Sequence, residues 1–150
     1  MTPQQRAERA AEAMYAKDTA AQEMKMQIEA VGPGRAVLSM EVQPAHLNGH
    51  RICHGGIIFT LADTAFAYAC NSYNTLTVAQ ENQITFLAPG QLGERLTATA
   101  EEQALAGRSG VYDVTVTGAD GRKVALMRGL SRTVKGQHFP EEELTQEDRA

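Results

Sequence analysis

The chain has 150 residues, 43% of them hydrophobic, which favours one domain with a core of its own. A formal net charge of -4 and a pI of about 5.6 leave no global basic field, which argues against nucleic acid or an acidic membrane as partner. No stretch approaches the roughly 18 consecutive apolar residues of a membrane span. Residues 1–18 lack the apolar centre of an export signal, so a cytoplasmic location is expected. Cys53 and Cys70, the two cysteines, are then expected to be free thiols.

Thr2-Pro3 reads as an N-cap and first helical residue, opening a helix over residues 3–17. Met24 to Ala30 alternates weakly and reads as a strand. Gly32-Pro33-Gly34 is a turn, and Ala36 to Val42 alternates again, so the two runs form a hairpin. Residues 43–53 are a polar loop. Residues 55–71 are too long and too evenly apolar for a strand, which predicts a helix buried on most sides. Four β-like runs follow, at Leu76–Phe86, Arg95–Gln103, Gly110–Thr117 and Lys123–Val134. Pro89-Gly90, Ala106-Gly107 and Asp120-Gly121 separate them, the last suggesting a tight hairpin. The segment 137–150 is polar and acidic and is expected to fray. No linker or repeat divides the chain. The pattern is α+β: a long central helix wrapped by a curved, mostly antiparallel sheet of six strands, with an N-terminal helix.

His54-Gly55-Gly56 opens the long helix, and Asp63 lies in its middle. Glycines at a helix start leave backbone N–H groups approachable, and the helix dipole there favours negative charge. A carboxylate in an apolar helix is costly unless paired, wet or used. Phe59 and Ala67, four residues to either side of Asp63, supply no basic partner. Asp63 therefore reads as a nucleophile or general base, and Gly55 as the donor to a carbonyl oxygen. An Asn, or an Arg in an oligomer interface, could instead satisfy Asp63, and the two glycines could serve close packing. His54 could bond a substrate or fix the loop. Cys53 and His54 are adjacent and point apart, so they do not make a nucleophile–base pair.

Gly55 and Asp63 are eight residues apart, about 12 Å along a helix axis. Reacting atoms must lie within about 3.5 Å, so one chain cannot bring both to one carbonyl. Two antiparallel copies of the helix about a two-fold axis would do so, making two equal sites.

Three further stretches resemble one family. Leu47-Asn48-Gly49-His50, Cys53-His54-Gly55-Gly56 and Leu61 through Asn71 are similar to the hot-dog thioesterases of phenylacetic acid degradation, the PaaI type. Phe86-Leu87, Pro89-Gly90, Leu96 to Ala100, Gly110 to Asp113 and Val124 to Gly129 extend the likeness over roughly residues 8–134. The resemblance implies the hot-dog fold and hydrolysis of aryl-acyl-CoA thioesters, phenylacetyl-CoA and its ring-hydroxylated forms among them. It also implies a dimer, or a tetramer built from dimers, with sites at the dimer interface. No metal and no cofactor is implied, coenzyme A being part of the substrate. Asn48 would help hold the acyl group or the attacking water, although Asn before Gly49 is also an ordinary turn residue. Gly56, Pro89, Gly90, Arg108, Ser109, Gly110 and Lys135 would line the substrate and nucleotide channel. Relatives place a small hydroxyl residue on the strand after the helix to orient water. Gln80, Glu81 and Asn82 stand there instead, with Glu81 at the approximate position. The other readings are a hot-dog dehydratase, which would need a His–acid pair, and a non-catalytic acyl-CoA binder or sensor.

Overall fold

A computed structural model describes residues 1–142. Helix α1 spans Pro3–Tyr15, and Thr2 caps it in a reciprocal box with Gln5. A short α2, Thr19–Glu23, follows on the Asp18 cap. Strands β1 (Gln27–Gly32) and β2 (Arg35–Glu41) form the first hairpin about Gly34, whose φ of 69° suits glycine. The loop that follows carries one 3-10 turn, Pro44–His46. Helix α3 then runs Gly55–Cys70, and β3 to β6 cover Thr77–Phe86, Arg95–Ala106, Ser109–Thr117 and Lys123–Thr133.

All six strands join one antiparallel sheet in the order β1-β2-β4-β5-β6-β3. Helix α3 lies across its concave face. Leu61, Ala62, Ala65, Phe66 and Ala69 pack there against Leu38, Met40, Leu96, Ala98, Val114 and Val116. Phe66 sits edge-on to Tyr112, with ring centroids 5.5 Å apart. It also lies flat against Gly129 of β6, where an added Cβ would come within 2.8 Å of its ring. No helix among the described residues is long and apolar enough to cross a membrane.

The structure differs from the sequence reading in four places. Residues 19–23 are helical, and Met24 and Lys25 close that helix, so β1 starts at Gln27. Strand β4 runs on to Ala106 through a bulge between Glu102 and Ala104. The Asp120-Gly121 connection is a five-residue loop rather than a tight turn, since Thr117 pairs with Lys123. Residues 137–142 are not frayed. Asn74 donates to the Phe139 carbonyl and accepts from the His138 and Phe139 N–H groups. Arg9 stacks on the Phe139 ring, and Arg6 pairs with Glu141 at 3.0 Å. Residues 143–150 of that expected tail lie outside the described residues.

Candidate active site

His54 is the N-cap of α3, and its Nδ1 accepts from the Gly56 N–H at 3.0 Å. That leaves the Gly55 N–H as the bare donor: it has no partner among the described residues. His54 thereby fixes the loop. The Gly56 N–H is consumed inside the chain and is not offered to a substrate.

A cavity of about 370 Å³ opens beside Gly55. Ile52, Ile58, Phe86, Ala88 and Pro89 give it apolar walls, with Asn48 at its rim. Asn48 Oδ1 accepts from the His50 N–H at 2.9 Å, which commits that oxygen to the turn. Cys53 is buried, its Sγ turned to the His54 carbonyl, and burial pushes its thiol up to about 11. No Cys–His pair forms. Both cysteines are free thiols, as expected. Phe66, Tyr68 and Tyr73 are core residues, and Phe86 is the aromatic that lines the cavity.

Asp63 is half-buried and faces β3. Asn82 Nδ2 donates to its Oδ1 at 2.6 Å. Burial pushes the Asp63 carboxyl above its ordinary range, and the Asn82 amide draws it part of the way back. Of the three candidates Gln80, Glu81 and Asn82, only Asn82 bonds the acid, and Gln80 and Glu81 are exposed. The reason is a bulge. The β3–β6 register shifts between Ala79 and Glu81, so Gln80 is the extra residue. Alternation counted from Thr77 would turn Glu81 inward, and the bulge reverses the parity and turns Asn82 in instead.

The residues assigned by resemblance to the nucleotide channel fall at two ends of the sheet. Pro89 and Gly90 follow β3 at the α3 N-terminal end. Arg122 anchors this loop by donating to the Pro89 carbonyl at 2.6 Å while pairing with Glu94. Gly90 is buried: a Cβ there would sit 3.1 Å from Leu96 and 3.2 Å from Cys53, so it serves packing. Arg108 and Lys135 are exposed together at the other end, where the Thr133 N–H donates to the Arg108 carbonyl. Ser109 is half-buried beside them, opposite Arg132. Gly110 is buried inside β5, with Ser131 Oγ 2.7 Å from where a Cβ would be, so it is not part of a phosphate-binding surface. Phe86 pairs with Ala125 and Thr77 with Thr133, so β6 separates the two groups by about 26 Å at the usual strand rise. Within one chain they do not form one channel. Arg132 is exposed beside the Arg108 corner as the register partner of Ser109.

The thioesterase superfamily model matches residues 50–125. The acyl-coenzyme A thioesterase PaaI of Escherichia coli is 45% identical over 126 residues, covering 84% of this chain and 90% of that protein. The solved structure of the E. coli PaaI protein superposes with a TM-score of 0.89 at 43% identity, over 91% of this chain and 99% of that one. A hypothetical thioesterase from Streptococcus pneumoniae, solved with coenzyme A, superposes at 0.72 with 27% identity, over 75% and 88% of the two chains. With a six-stranded sheet wrapped on a central helix and a match to the family model over half its length, the chain belongs to the thioesterase superfamily and has the hot-dog fold.

Proposed function

We propose that the protein hydrolyses aryl-acyl-CoA thioesters, such as phenylacetyl-CoA and its ring-hydroxylated forms, to free acid and CoA. The bare Gly55 N–H at the mouth of an apolar cavity carries this reading. An acyl group enters the cavity with its carbonyl oxygen on that N–H, where the α3 dipole stabilises the developing oxyanion. The similarity to an acyl-CoA thioesterase supports the substrate class. Asp63 of a second copy attacks the carbonyl or removes a proton from the water that does. CoA leaves as a thiolate, a good leaving group, so no strong proton donor is required. Arg108 and Lys135 supply cations for the CoA phosphates.

The working unit is a two-fold dimer joined through β3, and a tetramer of such dimers is the further assembly. Strand β3 is an edge strand with Val78 47% and Phe86 49% exposed. Antiparallel addition of a second β3 would continue the sheet. It would also set the Arg108 end of one copy near the Pro89 end of the other. The protein acts in the cytoplasm and takes no cofactor.

Thiol release from a panel of acyl-CoA esters tests the function. Aryl-acetyl esters are expected to be the best substrates, and Asp63→Asn to lower turnover by about 10²–10⁴ with binding nearly intact. Wild-type turnover in Asp63→Asn would remove Asp63 from the reaction. A single turnover in oxygen-18 water tests for the covalent route: label in Asp63 reports an acyl–Asp63 intermediate opened by water at the Asp63 carbon.

A further inference from the structure

Asn82 is bound on one side and unspent on the other. Its Nδ2 is committed to Asp63 at 2.6 Å, while its own Oδ1 is buried with no hydrogen-bond partner among the described residues. A buried amide oxygen without a donor is rare and calls for one. Asp63 is in the complementary condition, with one oxygen held by Asn82 and its other oxygen still able to accept. Two acceptors on neighbouring side chains suit a single water, which donates one hydrogen to each and keeps a lone pair for a third direction.

We propose that Asn82 positions Asp63 as a general base and, together with it, holds the water that attacks the thioester. The inference rests on the thioesterase reading above and chooses between its two routes. Asp63 takes one proton from the water as the oxygen bonds to the acyl carbon. The carbonyl oxygen becomes an oxyanion on the Gly55 N–H. Collapse restores the carbonyl and breaks the carbon–sulfur bond. The thiolate leaves with the electron pair, and the proton on Asp63 returns to it or to solvent. The Asn82 amide oxygen can only accept, which suits it to a hydrogen of that water.

The pH dependence follows from the surroundings of Asp63. On α3 itself the Cys70 thiol feels the Asp63 charge. On β3, Glu81 is exposed on the opposite face. On β5 and β6, Asp113 and Arg128 pair with each other on the outer face. Glu102 of β4 is held by Tyr73 and by Tyr112 of β5. Arg35 and Glu41 of β2 are exposed. No cation faces Asp63 among the described residues, so the Asn82 donor is what favours its ionised form against burial. A base works only when ionised, so activity falls as pH drops through the Asp63 pKa. Removing the donor raises that pKa and moves the acid limb to higher pH.

Three variants are assayed against pH in the full-length protein. Asn82→Leu is expected to lower kcat by about 10–100-fold with KM changed less than about threefold, and to move the acid limb of kcat upward. Asn82→Asp, nearly identical in shape, would face Asp63 with a second carboxylate, and the pair would share a proton. Its limb is expected to move further up, which keeps the inference testable if Asn82→Leu fails to fold. A purely structural role would lower thermal stability and leave the limb in place. An unmoved limb in either folded variant overturns the inference. Asp63→Asn, run alongside, separates the cases: if it is inactive while the Asn82 variants behave as wild type, only the role of Asn82 is lost. If it stays active, the thioesterase reading of Asp63 is lost as well.

Discussion

The two edges of the sheet are treated differently. Strand β1 is short, and α1 lies along it, with Gln4 Nε2 donating to the Val31 carbonyl at 2.7 Å. Ser39 of β2 also donates to Glu29 of β1. Strand β3 is ten residues long, bears exposed Val78 and Phe86, and is flanked by exposed Leu76, Leu87 and Val134. Proteins blunt an edge that must stay single, with charge, brevity or a covering element. With one edge blunted and the other long and bearing exposed Val78 and Phe86, β3 is the edge at which a second copy is expected. The same strand carries Asn82 and, through Phe86, a wall of the cavity beside Gly55, so the open edge and the candidate site coincide.

That contrast can be attacked directly. Gly55→Pro is expected to have the largest effect, because it deletes the N–H in the first turn of α3 that has no partner among the described residues, while leaving the helix intact. Proline is well placed at a first helical residue, and the φ and ψ of His54, -59° and 134°, suit a residue before proline. The expectation is a loss in kcat of about 10²–10³ with thermal stability nearly unchanged, the Phe86 ring giving way to the new ring carbons. Next comes Val78→Lys. A lone charge buried in a β3–β3 contact should weaken dimerisation by on the order of 3 kcal/mol, about a hundredfold. Sedimentation should show monomer, with activity lost in step. Ala30→Lys on β1 is the matched control and should change neither; equal damage from both variants would erase the contrast. Mixing inactive Gly55→Pro and Asp63→Asn chains is the sharper form of the same test. Random pairing gives half heterodimers, each with one intact site, so about a quarter of wild-type activity should return. No recovery after exchange would mean that the two residues serve one chain.

The smallest effect concerns the loop behind the cavity. Arg122 holds Glu94 at 2.6 Å and keeps its carboxyl down at about 2. The folded value is below the unfolded one, so this stabilisation is complete above about pH 4.5 and is lost as pH falls towards 2. Glu94→Gln should therefore melt a few degrees lower than wild type at neutral pH, and the gap should close across that acid window.

Much of this was legible in the sequence because the signals were local. The Thr2-Pro3 cap, the unbroken apolar run of α3 and the glycine turns at Gly34 and Gly107 each state their structure within a few residues. What was not legible depended on counting or on distance. Residues 19–23 carry a cap in Asp18 but no apolar period, so the sequence holds too little signal to mark α2. The bulge at Gln80 inverts which face Glu81 and Asn82 take, and nothing in the order of residues marks it. The C-terminal residues look like a polar tail, yet the buried Asn74 amide and the guanidinium groups of Arg6 and Arg9 meet them from far along the chain. Gly110 and Gly90 resemble flexible loop glycines, and their neighbours in space show that both are packing glycines.

The contact between Phe66 and Gly129 has a consequence for how this enzyme could be tuned. Phe66 follows Asp63 by three residues on α3, and Gly129 is the register partner of Asn82. The missing side chain on β6 therefore works as a shim gauge, setting how high α3 rides above the sheet at the level of the acid. A methyl at position 129 would lift the helix through the Phe66 ring and stretch the Asp63–Asn82 bond from behind. Catalytic strength could in this way be dialled from behind the Phe66 ring, by the thickness of one carbon.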